Sequence, residues 1–235
     1  MKVSVVIPTY NEERNIERCL LSLRRQTFPE DEYELIVVDG NSIDRTREIA
    51  EPLADRVIIQ TSKKVGGARN DGGRLAEGSI IATTDADCII PPGWIDEIVQ
   101  TFSRDPRIVQ IYGPVDPIEP GIRNRMSLEL ANGFSRIGYM TRAFYFTLGC
   151  NTAFRKAEFI QAGMYRCVDA GDDIEIARRM SRLGYVVRNP RMRVGFSMRR
   201  YDQFGTLKSL YEWVYIVAKG GETDKYRYIK REYKK

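Results

Sequence analysis

Residues 79–88 read SIIATTDADC, and the fold turns on how this run is taken. SIIATT (79–84) is apolar enough for a buried strand, and Asp85-Ala86-Asp87 stands where that strand must surface. Two carboxylates one residue apart repel each other unless a cation lies between them, although a D-x-D can also be a plain turn. The neighbouring segments repeat the strand pattern: VSVVI (3–7), ended by Pro8, then ELIVV (34–38), RVIIQ (56–60) and RIVQIY (107–112). Helical stretches fall between them. Ile16, Cys19, Leu20 and Leu23 recur at i, i+3, i+4 and i+7. Asp44 is placed to cap a short helix ending near Pro52, a small-residue helix spans about Gly67 to Ala76, and another follows Pro91-Pro92 to about Ser103. Near-continuous apolar strands alternating with helices predict an α/β fold with a mostly parallel sheet covered on both faces.

After Tyr112 the rhythm breaks. Residues 113–145 carry Pro114, Pro117 and Pro120 and then a helical stretch bearing Arg123, Arg125, Arg136 and Arg142. NTAFR (151–155), YVVR (185–188) and VGFSMR (194–199) read as strands, a helix begins near Asp173, and a last helix covers about 202–219. One domain over 1–220 is expected, with a ligand-binding half at 1–112, a smaller half at 113–220, and a basic tail at 221–235.

In an open α/β sheet, ligands bind beyond the carboxyl ends of the strands. Four successive strands end in polar groups: Thr9-Tyr10-Asn11-Glu12, Asp39-Gly40-Asn41-Ser42, Lys63 to Asn70, and Asp85-Ala86-Asp87. Together they describe a pocket for a phosphorylated ligand. Each has a plainer alternative. Asn11 or Glu12 can start a helix, Asp39-Gly40 can be a turn, and Gly66-Gly67 can open a helix or bring N–H groups to a phosphate. Neither GxGxxG nor GxxxxGK[ST] is present. A hard divalent cation, Mg²⁺ or Mn²⁺, shared between Asp85, Asp87 and a diphosphate resolves the carboxylate repulsion best.

Composition agrees with that oxygen chemistry. The chain has 235 residues and no histidine, and its four cysteines form no CxxC pair, which argues against a zinc site. The N-terminus lacks the features of a signal peptide and no apolar run is long enough to span a bilayer, so a cytoplasmic protein is expected. The net charge is +5, and the last 17 residues hold seven Lys and Arg against three acids. That tail reads as a solvated end, a contact for an anionic membrane surface, or a weak nucleic-acid contact through Tyr226, Tyr228 and Tyr233. An apolar stripe over Phe204, Leu207, Tyr211, Val214 and Ala218 can be absorbed by core packing; followed by KYRYIKREYKK, it otherwise favours peripheral binding to the inner face of a membrane over nucleic acid.

VSVVIPTYNEERNIERCLLSL, IVVDGNSIDRT, GGARNDGGRLAEGSIIATTDADC and AGDDIEIARRM resemble, in order and spacing, the family-2 inverting glycosyltransferases of the GT-A fold. The resemblance covers about 1–112 and 147–190. It implies transfer of one sugar from a nucleoside diphosphate sugar to a glycan or lipid-linked acceptor, with inversion and with Mn²⁺ or Mg²⁺. Thr9, Tyr10, Glu12 and Asp39 match positions lining the nucleoside pocket, Arg69 a basic residue near the nucleotide, Asp85 the ribose and metal side, and Asp87 the metal ligand. Asp172-Asp173 stands where the family has Glu-Asp, with Asp173 as catalytic base; a helix-capping role is its alternative. The QxxRW motif of processive synthases is missing, and Arg199-Arg200 is the nearest candidate for an acceptor or phosphate contact. Two rivals remain at this level. One is a sugar-nucleotide-forming nucleotidyltransferase, whose first loop would need basic residues that PTYNEE lacks. The other is a non-catalytic nucleotide- or nucleic-acid-binding module.

Overall fold

The computed structural model describes residues 2–168, 170–199 and 215. Arg200, the tail at 221–235, and all of the helix expected over 202–219 except Tyr215 lie outside the described residues. The first strands are β1 (Val3–Thr9), β2 (Tyr33–Asp39), β3 (Arg56–Ile59), β4 (Ile80–Thr83) and β5 (Ile108–Tyr112). Later come β6 (Val115–Pro117), β7 (Thr152–Arg155), β8 (Tyr185–Arg188) and β9 (Val194–Phe196). The main sheet runs β3-β2-β1-β4-β7-β5-β8, and β6 pairs with β9 in a small second sheet. Among the described residues the α-helical elements are α1 (Ile16–Arg24), α2 (Thr46–Ala50), α3 (Lys64–Leu75), α4 (Trp94–Arg104), α5 (Ile122–Thr141), α6 (Lys156–Gln161) and α7 (Asp172–Met180), and Tyr215 is helical as well.

The apolar strands are continuous because both faces are covered. Val3, Val5, Ile7, Leu35 and Val37 pack in one core with Ile16, Leu20 and Leu23 of α1 and Trp94, Ile98 and Phe102 of α4. The intervening Val6, Ile36 and Val38 pack in the other with Ala68 of α3, Phe159 of α6 and Ile176 and Met180 of α7. The expected strand boundary at Pro8 is wrong by two residues: Pro8 lies inside β1, opposite Val38 of β2. The Val6 carbonyl accepts from Thr84 N, so residue 8, of the same parity, directs its nitrogen towards β4. That ladder has already ended at Val6↔Thr83, and the missing N–H costs nothing there.

The sheet is parallel except at β7, which lies antiparallel between β4 and β5. β6 and α6 were not foreseen. The small-residue helix starts at Lys64, not Gly67, so the glycine pair sits inside the first turn of α3 rather than before it. Packing explains its composition. A Cβ on Gly66 would stand 2.7 Å from the Arg166 carbonyl, one on Gly67 2.8 Å from Ser62 Cβ, and one on Gly72 2.4 Å from Val6 Cγ1. Gly72 lets this helix lie directly on the sheet, and Gly66 and Gly67 admit the loops at 165–166 and 62 against it, at some cost in helix propensity. They do not form a separate phosphate loop.

Candidate active site

The loops after β1 and β2 are knit together. Asn11 and Asn41 both have positive φ, which asparagine tolerates better than most residues. Asn11 N donates to Ser42 Oγ and Ile43 N to Asn11 Oδ1. Glu12 N donates to Thr46 Oγ1, and Asp44 accepts from Thr46 N and Glu13 N; the N-cap position of α2 is Arg45, so the expected cap at Asp44 falls one residue early although its carboxylate still serves the first helical N–H. Asp39 is fully buried, and both its oxygens accept from Ser42, through N–H and Oγ–H. Tyr10 projects from this rim half-exposed, and the buried Thr9 Oγ1 has no hydrogen-bond partner.

α3 carries the central cation. Asn70 exchanges two hydrogen bonds with the backbone of Tyr165, and Asp71 accepts from Thr61 N and Ser62 N, so the helix is pinned at both flanks. Arg69, buried between them, donates through Nη2 to Asp85 Oδ1 at 3.0 Å and through Nη1 to Asp172 Oδ2 at 3.2 Å. It also lies over the Tyr165 ring. Burial works against this cation, but the Asp85 and Asp172 carboxylates outweigh burial and hold its pKa above the ordinary value. Gly149 makes the position available, since a Cβ there would fall 2.5 Å from the guanidinium carbon.

α7 begins at Asp172, after Gly171 in the left-handed region. Asp172 is buried against Arg69, whereas Asp173 is half-buried. Asp173 Oδ2 accepts from Gly149 N at 3.0 Å and Oδ1 from Ile174 N at 2.9 Å, and Thr147 Oγ1 holds the Asp173 carbonyl. Burial and the neighbouring Asp172 carboxylate push the Asp173 pKa up to about 7, against the pull of Arg69. A carboxylate tuned this way suits proton abstraction near neutral pH. Gly171, not Asp173, occupies the helix-capping position.

The D-x-D rim closes from the far end of the described chain. After β9, Glu119 accepts from Ser197 Oγ and Met198 N, fixing the turn that delivers Arg199. β9 is also bridged to Ile89, just past the D-x-D, by Ile89 N to Gly195 O and Gly195 N to Ile89 O. Arg199 contacts Asp87 at 3.1 Å and also Glu12. Burial raises the Glu12 pKa, and Arg199 opposes that rise. Arg199 on Asp87 and Arg69 on Asp85 therefore already occupy the two carboxylates expected to hold a metal. The donor set is all oxygen, the kind Mg²⁺ and Mn²⁺ take, and no three metal-ligating side chains converge among the described residues.

Thr9, Glu12, Asp39, Arg69, Asp85, Asp87, Asp172, Asp173 and Arg199 thus converge on the carboxyl rim of the sheet, with Tyr10 at its edge. Arg123, Arg125, Arg136 and Arg142 are exposed along α5 and its end. Gly149 and Thr147 were missed, because a lone glycine or threonine carries no motif until its neighbour in space is known.

Residues 4–162 match the family model described as Glycosyl transferase family 2. The chain belongs to that family. The family-2 match ends at residue 162, before Asp172-Asp173. The chain is 38% identical over 107 residues to glycosyltransferase AglE of Haloferax volcanii, covering 43% of this chain and 35% of that one. The fold is similar to that of S. aureus TarS residues 1–349 in complex with UDP-GlcNAc (TM-score 0.67, 24% identity, 84% of this chain and 58% of that one). It is equally similar to the mannosyltransferase PcManGT of Pyrobaculum calidifontis in complex with GDP-Man and Mn²⁺ (TM-score 0.67, 27% identity, 83% and 56%). The family-2 domain therefore has the GT-A fold, and it spans less than two thirds of these relatives' lengths.

Proposed function

We propose that this chain transfers a single sugar from a nucleoside diphosphate sugar to a glycan or lipid-linked acceptor, with inversion at the anomeric carbon. The observation that carries the reading is the Asp173 carboxylate. It is oriented by the Gly149 N–H and tuned to about 7, on the same rim as Asp85 and Asp87. The nucleoside would lie over the Asn11 and Ser42 loops, against Tyr10, Thr9 and the rim that Asp39 shapes. Asp87, with Asp85, would hold a divalent cation, which supplies charge neutralisation for the departing diphosphate. The Mn²⁺ in the PcManGT complex supports that choice. Arg69 ties Asp85 to Asp172, so the donor rim and the base move as one unit.

In the transfer, the acceptor oxygen forms a bond to the anomeric carbon as the bond from that carbon to the diphosphate oxygen breaks. Asp173 takes the acceptor proton, and the nucleoside diphosphate leaves with the electron pair. One displacement gives one inversion. With an anionic lipid phosphate as acceptor, Asp173 orients the acceptor instead of deprotonating it. The reading includes peripheral association with the inner face of a membrane, supported by the basic composition of residues 219–235. The test is a thermal-shift screen of UDP-, GDP- and dTDP-sugars with Mn²⁺, followed by turnover and magnetic-resonance assignment of the product anomer. Failure of every nucleoside diphosphate sugar to raise stability overturns the reading, as does a retained anomeric configuration.

A further inference from the structure

α5 is inverted relative to an ordinary surface helix. Its buried residues are Asn124, Ser127, Leu128, Ala131, Asn132, Ser135 and Gly138, mostly small or polar. Three of the polar ones are satisfied inside the fold: Asn132 exchanges two hydrogen bonds with the Val115 backbone, Ser135 Oγ donates to Phe146 O, and Ser127 Oγ to Arg123 O. The large apolar residues point outwards: Ile122 is 80% exposed, Met126 60%, Leu130 59%, Ile137 58% and Met140 68%. At 100° per residue these five fall within an arc of about 80°. Gly133 lies inside that arc and has nothing within 4 Å of where a Cβ would be, so the stripe is open along its length. An apolar stripe this continuous on an exposed helix marks a contact surface.

We propose that this face of α5 is the surface by which the protein lies on an anionic lipid bilayer. Charge selects this occupant. Arg125 and Arg136 lie along one edge of the stripe together with Glu129, the single acid of the helix, which pairs with Arg193; Arg123 borders the other edge and Arg142 closes the C-terminal end, all four arginines of this stretch exposed. An apolar face edged with arginines is the arrangement of an interfacial helix on anionic headgroups. A second copy of this chain would bring the same arginines against each other. The basic tail at 219–235, with seven basic and three acidic residues, also carries the same sign as the helix. α5 does not qualify as a membrane span, and no described helix is long and apolar enough to be one.

The placement bears on the chemistry. The opposite face of α5 packs through Ala131 against Phe146 and Ile174, which flank Thr147 and Asp173. A bilayer seated on α5 therefore lies one helix away from the catalytic loop and would present a lipid-linked acceptor to it. That last step rests on the glycosyl-transfer reading; the surface does not.

The test is co-sedimentation of the full-length protein, without donor, on vesicles of phosphatidylcholine alone or mixed with phosphatidylglycerol, at low salt and at about 0.5 M salt. The parent is expected to bind the mixed vesicles at low salt and to release at high salt. Met126→Glu, Leu130→Glu and Ile137→Glu together are expected to lower the partition coefficient by roughly tenfold or more at an unchanged melting temperature. Ile122→Ser with Met140→Ser, at the two ends of the stripe, gives the same direction if the triple variant folds poorly. Combined Lys230→Ser, Arg231→Ser, Lys234→Ser and Lys235→Ser removes part of the tail's electrostatic contribution, and the α5 substitutions are expected to lower binding in that background as well. The proposal is overturned if the parent ignores mixed vesicles at low salt, or if the α5 variants sediment like the parent. It is also overturned if these substitutions convert a dimer to a monomer without any vesicle binding by the parent. Vesicle binding without sugar transfer would sink the transfer reading and leave this surface standing.

Discussion

Arg199 stands on Asp87, with Nη2 3.1 Å from Oδ2, and its guanidinium also reaches Glu12. A metal on Asp87 must therefore compete with this cation, whose charge-assisted hydrogen bonds are each worth about 1.5–3 kcal/mol. In Arg199→Gln, Mn²⁺ binding without nucleotide, followed by paramagnetic resonance, is expected to tighten roughly tenfold. The metal-free variant should melt earlier, because Glu12 and Asp87 lose their counter-charge, and Mn²⁺ should restore it. Unchanged Mn²⁺ affinity would show that Arg199 does not hold the metal position.

Asp87→Asn tests the same carboxylate from the other side. Calorimetric titration of the parent with a nucleoside diphosphate is expected to be tighter with Mn²⁺ than with chelator. In Asp87→Asn that difference is expected to vanish. Equal affinity in both conditions for the parent would sink the metal assignment.

Asp173→Asn is expected to keep the fold and donor affinity and to lower turnover with a hydroxyl acceptor by roughly 10²-fold or more. A variant with normal turnover per folded molecule would reduce Asp173 to a structural role at the start of α7.

The pH dependence follows from the same group. Asp173 must be ionised to accept a proton, so turnover should climb as pH rises through about 7 and level off above it. Stability runs the opposite way. The folded state holds this proton far more tightly than the unfolded chain, whose value lies near 3.8, so the group favours folding at low pH. Its contribution is lost as pH rises from about 4 to about 7. Asp173→Asn removes this titration but also one of the two oxygens that accept from Gly149 N and Ile174 N, so the check is the pH trend: the melting temperature of the variant relative to the parent should rise between pH 5 and pH 8. A difference that does not change with pH would contradict the raised pKa.

Gly149→Ala would put a methyl group 2.5 Å from the Arg69 guanidinium. Arg69 cannot then hold both Asp85 and Asp172. Turnover is expected to fall at least about tenfold, with a loss of about 1–3 kcal/mol of stability from overpacking. Full activity in this variant would show that Arg69 has another resting place.

The strands of the N-terminal part and the acidic rim were legible because their signals are local: apolar runs bounded by turn residues, and carboxylates at fixed spacing. The direction of β7 was not legible, since TAFR reads the same whether it runs with or against its neighbours. Pro8 misled because proline forbids a ladder bond only on the side its nitrogen faces. The approach of Arg199 to Glu12, residues 187 apart in sequence, has no local trace. The arginines of α5 were visible, but its inverted burial was not. A helix whose small polar face goes inwards gives the same periodicity as one turned the ordinary way.

The antiparallel β7 also dictates an order of events during synthesis. β4 and β5 do not pair with each other; β7 joins them, and β8 borders β5 on its other side. When the ribosome has released only the first 112 residues, β5 has no hydrogen-bonded neighbour in the sheet and both its edges are open. The nascent chain must carry that exposed strand until residues 152–155 emerge and slot in. Two fragments divided between β5 and β7 and produced separately would be expected to assemble on mixing through strand insertion, and each alone would be prone to aggregate.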